Sequence, residues 1–119
     1  MFYIFMVSRI LFGGYFVLNG LNHIIKGSSM VGYASSKKVR MPKTLILISG
    51  LLILLGGLGI IIGFYVPFAV LAIEVFLIVI TVVMHDFWNQ ADKSARMMEY
   101  TQFMKNIALM GGALAFLFI

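Results

Sequence analysis

Apolar residues in this chain fall into four long runs separated by polar connections, and as helices these cover about residues 3–25, 44–65, 66–88 and 101–119. The run from Val66 to Met84 organises the rest. It is long enough to cross a bilayer core of ~30 Å as a helix, with one acid, Glu74, near its middle and His85-Asp86 at its end. A carboxylate at that depth is costly and demands a partner. Helical spacing puts Glu74, Ile78, Thr81 and His85 on nearly one face, a polar stripe turned toward something other than lipid.

The connections sharpen this pattern. The first run lacks a basic amino-terminal region and passes through Asn19, Asn22 and His23 where a cleaved leader would need small residues, so it reads as a retained helix. Residues 26–43 are polar and basic, with Met30, Tyr33 and Ala34 placed to rest on the membrane surface. Pro42 opens the second helix, whose Gly59 and Gly63 form a small-xxx-small pair suited to close helix contact. The short turn at residues 64–67 predicts an antiparallel hairpin, with Pro67 in the first turn of the third helix. After Trp88 a mixed-charge stretch reads as a short surface helix leading into a fourth span. The predicted architecture is therefore all-α, a polytopic membrane protein with a four-transmembrane-helix bundle and a single domain over residues 1–119.

Composition narrows the function classes. With 62% hydrophobic and 11% charged residues, the chain is an integral membrane protein with no room for a separate soluble catalytic domain. Its charge of +5 reports topology and not nucleic-acid binding, for which no folded module is present. Lys26, Lys37, Lys38, Arg40 and Lys43 flank the first connection and Lys93, Arg96 and Lys105 the third, so this side is expected to be cytoplasmic. Both termini and the 64–67 turn are then expected outside. The absence of cysteine excludes disulfides and thiolate-ligated metals within the chain. The nine methionines read as packing residues, no metal site is expected, and no phosphate-cradling or nucleophile-base motif appears.

The ninth basic residue, Arg9, lies inside the first helix at a depth similar to that of Glu74. An Arg9–Glu74 ion pair would reduce the cost of either charge alone; the alternative is an Arg9 that snorkels to the headgroups beside a protonated Glu74. At the other end His23 and His85 fall at one level, with Asn19 a turn from His23 and with Asn22, Asp86, Lys105 and Asn106 close in depth. This polar cluster has three readings: a haem or metal site, which nothing else supports; a site for a quinone or another amphipathic molecule; or groups that satisfy one another and cap helix ends. The candidate site residues are His23, His85, Asn19, Asn22, Lys105 and Asn106.

The stretches FGGYFVLNGLNH (Phe12 to His23), MVGYASSKKV (Met30 to Val39), SGLLILLGGLGIIIGF (Ser49 to Phe64), MHDFW (Met84 to Trp88) and QFMKNIALMGGAL (Gln102 to Leu114) resemble the DoxX-like group of small membrane proteins. The resemblance rests most on Asn22-His23, Tyr33, His85 with Phe87-Trp88, and Lys105-Asn106 at their spacings. It implies a four-helix bundle in a bacterial cytoplasmic membrane and an association with redox systems, and it extends to the membrane subunit of thiosulfate:quinone oxidoreductase. Many members carry an acid near the start of the second helix, where this chain has Ile48-Ser49-Gly50. The expected function is an accessory or quinone-interacting subunit of a membrane redox or stress-response complex. The rivals are a non-catalytic scaffold, whose glycine-rich faces bind partner subunits or a second copy of the chain, and a small transporter.

Overall fold

The computed structural model describes residues 1–118 and is built from five α-helices. They are α1 (Phe2–Ile25), α2 (Gly27–Ser36), α3 (Pro42–Ile62), α4 (Val66–Met84) and α5 (Lys93–Ala115). Single 3-10 turns follow α4 at Phe87–Asn89 and α5 at Phe116–Phe118. The fourth helix expected over 101–119 instead begins at Lys93, and residue 119 lies outside the described residues. Asp92 starts it there, because its carboxylate accepts the Ala95 N–H at 2.9 Å and satisfies a donor of the first turn.

The expectation of four transmembrane helices is corrected by the structure. Among the described residues three helical segments are long and apolar enough to cross a membrane: Phe2–Ile25, Pro42–Ile62 and Val66–Asn89. The segment over α5 fails because Lys93, Arg96, Glu99 and Lys105 are spread over more than half of its length. The uncharged run that follows Asn106 would cover only roughly 18 Å as helix, short of the ~30 Å hydrocarbon core.

Glycine contacts set the packing of α1 on α3. A Cβ built on Gly13 would meet the Gly57 carbonyl at 2.6 Å, and one on Gly20 would meet the Gly50 carbonyl at 2.7 Å. Each helix thus offers two glycines seven residues apart to the other, and the backbones approach more closely than any side chain permits. Gly59 packs on Ala69 of α4. Gly63, expected to pair with Gly59 in a helix contact, instead ends α3 in the left-handed conformation at φ 71°. Phe64 N–H then bonds back to the Gly59 carbonyl at 3.0 Å, which closes the hairpin into α4.

α4 and α5 complete the core, where Phe16, Ile53, Ile60, Ile73 and Leu77 are fully buried. Phe116 rests on Phe5 and Phe12, so the end of α5 lies at the amino-terminal end of α1. Large apolar side chains face outward on every span, among them Leu55 at 67% and Phe68 at 68% exposure. In water such continuous apolar faces would drive association, whereas in a bilayer they meet lipid. The longest dimension is 47 Å, enough for the ends to reach the headgroup layers.

Candidate functional site

The site lies where the carboxyl ends of α1 and α4 meet the start of α3. His23 occupies the last turn of α1, and His85 follows the last residue of α4. A cavity of about 570 Å³ runs between α3 and α4 under α2, with walls of apolar side chains such as Leu45, Leu52, Val75 and Val79. A second cavity of about 180 Å³ lies between α1, α4 and α5, bordered by Tyr15, Asn19, Gln102, Lys105 and Asn106. His23, Phe76, Ile80 and His85 border both cavities and form the wall between them. The His23 and Phe76 rings meet edge to face at 5.8 Å in that wall.

Each histidine is tied to the framework through Nδ1. His23 Nδ1 lies 3.2 Å from the Ile46 carbonyl and 3.0 Å from Ser49 Oγ, and the Ser49 hydroxyl itself donates to Ile46 at 3.0 Å. His85 Nδ1 lies 3.1 Å from Glu99 Oε1. Glu99, from α5, is only 4% exposed, and two further donors converge on it. Lys37 Nζ reaches its Oε2 at 2.6 Å, and the Tyr33 hydroxyl donates to the carboxylate at 2.8 Å. Lys37 also bonds Asp86 Oδ1 at 2.6 Å. α2, expected as a surface segment, is thereby bolted across the ends of α4 and α5 by Tyr33 and Lys37, residues one helical turn apart.

Burial opposes ionisation of Glu99, but hydrogen bonds from Lys37, Tyr33 and His85 outweigh it and hold the carboxyl below its ordinary value. The same balance raises Lys37: burial works against the ammonium, and its bonds to Asp86 and Glu99 prevail. Burial and the Glu99 carboxylate push the Tyr33 hydroxyl well up, so it remains a donor. These groups form a compensated ionic network at the edge of the cavities.

Of the candidate residues, His23, His85, Asn19, Lys105 and Asn106 all border the smaller cavity. Asn19 Nδ2 donates to the Tyr15 carbonyl at 2.8 Å, and Lys105 Nζ donates to Tyr15 Oη at 3.0 Å and Gln102 Oε1 at 2.7 Å. Asn22 is exposed and borders neither cavity; it stands about 100° around α1 from His23. The Arg9–Glu74 pair is not formed. The Arg9 guanidinium packs against Gly63 and sits 4.3 Å over the Phe5 ring, drawn to the carbonyl-rich end of α3. Glu74 Oε1 is buried without a hydrogen-bond partner. Sequence reasoning missed Glu99 and Lys37 as site residues. The available signal was that the chain has only four acids, so an acid in a stretch packed on the bundle needed a base from another element.

Residues 4–86 match the family model described as DoxX. The chain belongs to the DoxX family. It is thus a membrane protein of that family, and the matched segment carries both histidines and Asp86 while α5 lies beyond it. No curated protein and no solved structure matches this DoxX protein significantly. Among the described residues no group of three or more His, Asp or Glu side chains is placed to hold a metal.

Proposed function

We propose that this DoxX protein binds a quinone-type amphiphile and serves as an accessory or quinone-interacting subunit of a membrane redox complex. The observation that carries the reading is the shared wall: two histidines stand between a large apolar cavity and a small polar one. Small-molecule sites are mostly apolar hollows of ~300–1,000 Å³ with a few convergent polar groups, and the larger cavity has this size and lining. The residues fit the group. Val75, Val79 and Leu52 suit a ring and isoprenoid tail, and His23 and His85 suit a polar head. Such a molecule would supply two-electron chemistry; the chain's own residues would bind and orient it, keep water out, and exchange a proton at imidazole nitrogen. The basic connections 26–43 and 93–105 support a cytoplasmic position for this end in a bacterial inner membrane, with the amino terminus outside.

The scaffold reading loses the support of two contact glycines. Gly59 is occupied by Ala69 and Gly112 by Phe12 of the same chain, so neither is free for a partner helix. The test is purification into lipid nanodiscs followed by mass spectrometry of bound lipids. A quinone enriched over bulk lipid, and lost in His23→Ala and His85→Ala, is the expected result. No enrichment, or enrichment unchanged in both variants, overturns the proposal.

A further inference from the structure

We infer that the larger cavity selects the hydroxylated, reduced member of a quinone/quinol pair. The inference rests on the binding reading above and deepens it by naming the redox form. It follows from the direction of the hydrogen bonds around the two imidazoles.

The Ile46 carbonyl beside His23 Nδ1 can only accept, and the Ser49 hydroxyl has given its own proton to the same carbonyl. His23 Nδ1 therefore carries the hydrogen. Glu99 receives Lys37 and Tyr33 and stands as a carboxylate, so His85 Nδ1 likewise carries the hydrogen toward Oε1. In the neutral imidazoles both Nε2 atoms are then bare lone pairs, and neither has a hydrogen-bond partner among the described residues. The other polar groups on this cavity offer no spare proton. The Tyr33 hydroxyl is directed to Glu99 and the Met84 carbonyl, and that of Ser49 to Ile46. For a headgroup that reaches either Nε2 along the apolar walls, the imidazole is an acceptor alone. A quinol brings O–H donors to these nitrogens; a quinone brings carbonyl oxygens, which cannot pair and leave buried groups unsatisfied. Glu99 acts in this as a positioning residue, since it sets which nitrogen of His85 carries hydrogen and does not itself border either cavity.

The experiment titrates nanodisc-embedded protein anaerobically with a decyl-tailed benzoquinone and, separately, with its quinol. The quinol is expected to bind about tenfold more tightly or better, the effect of one satisfied hydrogen bond. Each tenfold preference raises the two-electron potential of the bound couple by about 30 mV. Glu99→Gln, whose amide can donate or accept, is expected to shrink the preference several-fold without abolishing binding. With only two histidines in the chain, 15N-histidine NMR reads both tautomers directly, and Nδ1–H at each is expected. Equal or tighter quinone binding, or an Nε2–H tautomer at both histidines, overturns the preference while leaving the binding reading intact. Binding of neither form overturns both.

Discussion

At the residue scale, the polar groups of this DoxX protein divide into those with compensated charge and those without partners. Glu99 is compensated by Lys37, with Tyr33 and His85 as further donors. Because its carboxyl titrates lower in the folded protein than its ordinary value of 4.5, the network's stabilisation is fully present above that value. It is lost as pH falls through the lowered value. Thermal unfolding in detergent is therefore expected to show an acid-side loss of stability below about pH 4.5, with a much smaller loss in Glu99→Gln. Replacing Glu99 by Ala strands Lys37 and Tyr33 and is expected to cost about 2–4 kcal/mol, less where solvent reaches the ammonium. Thr81 shows the opposite case. It is 1% exposed, and its Oγ1 has no partner, so Thr81→Val is expected to stabilise by about 1 kcal/mol in the same assay. Arg9 and Glu74 have separate surroundings, so a double-mutant cycle with Arg9→Gln and Glu74→Gln is expected to give a coupling below ~0.5 kcal/mol. A coupling above 1 kcal/mol would restore the ion pair.

At the scale of elements, the α1–α3 contact depends on missing side chains. Gly57→Val would drive a Cβ into the Gly13 carbonyl and Val17, forcing the helices apart. Gly14 has nothing within 4 Å of an added Cβ, so Gly14→Ala is expected to be neutral or stabilising by up to about 1 kcal/mol. Denaturation midpoints of the two variants in one detergent check the contrast, and equal midpoints would contradict the contact. Apolar periodicity alone could not separate these glycines. Gly50, Gly56, Gly57, Gly59 and Gly63 are all spaced for contact within one glycine-rich helix, and only the neighbours show that Gly50 and Gly57 meet α1, Gly56 and Gly59 meet α4, and Gly63 ends the helix.

At the scale of the molecule, the proposed orientation rests on three candidate spans and two basic connections. The chain has no cysteine, so single-cysteine labelling is clean. Lys38→Cys, in the connection after α2, is expected to react with an impermeant maleimide only from the cytoplasmic side, and Tyr65→Cys, in the hairpin turn, only from outside. Labelling of both from one side would overturn the proposed orientation. The four-span reading failed at the end of the chain because α5 is continuous from Lys93. Its charged part and its apolar part belong to one helix, and the average over any span-length window is too polar.

What the sequence determined alone is what depends on spacing and composition: helices, a membrane solvent, and the common depth of His23 and His85. Those follow because one residue advances a helix by a fixed rise and lipid tolerates few charges. The tertiary structure decided everything that depends on azimuth and on pairing between distant segments. It turned Asn22 away, parted Arg9 from Glu74, and brought Lys37, just after α2, to Asp86 and Glu99, and Glu99 of α5 to His85. Rotation of one helix against another is set by which side chains are absent at the contact, and that property belongs to two helices together.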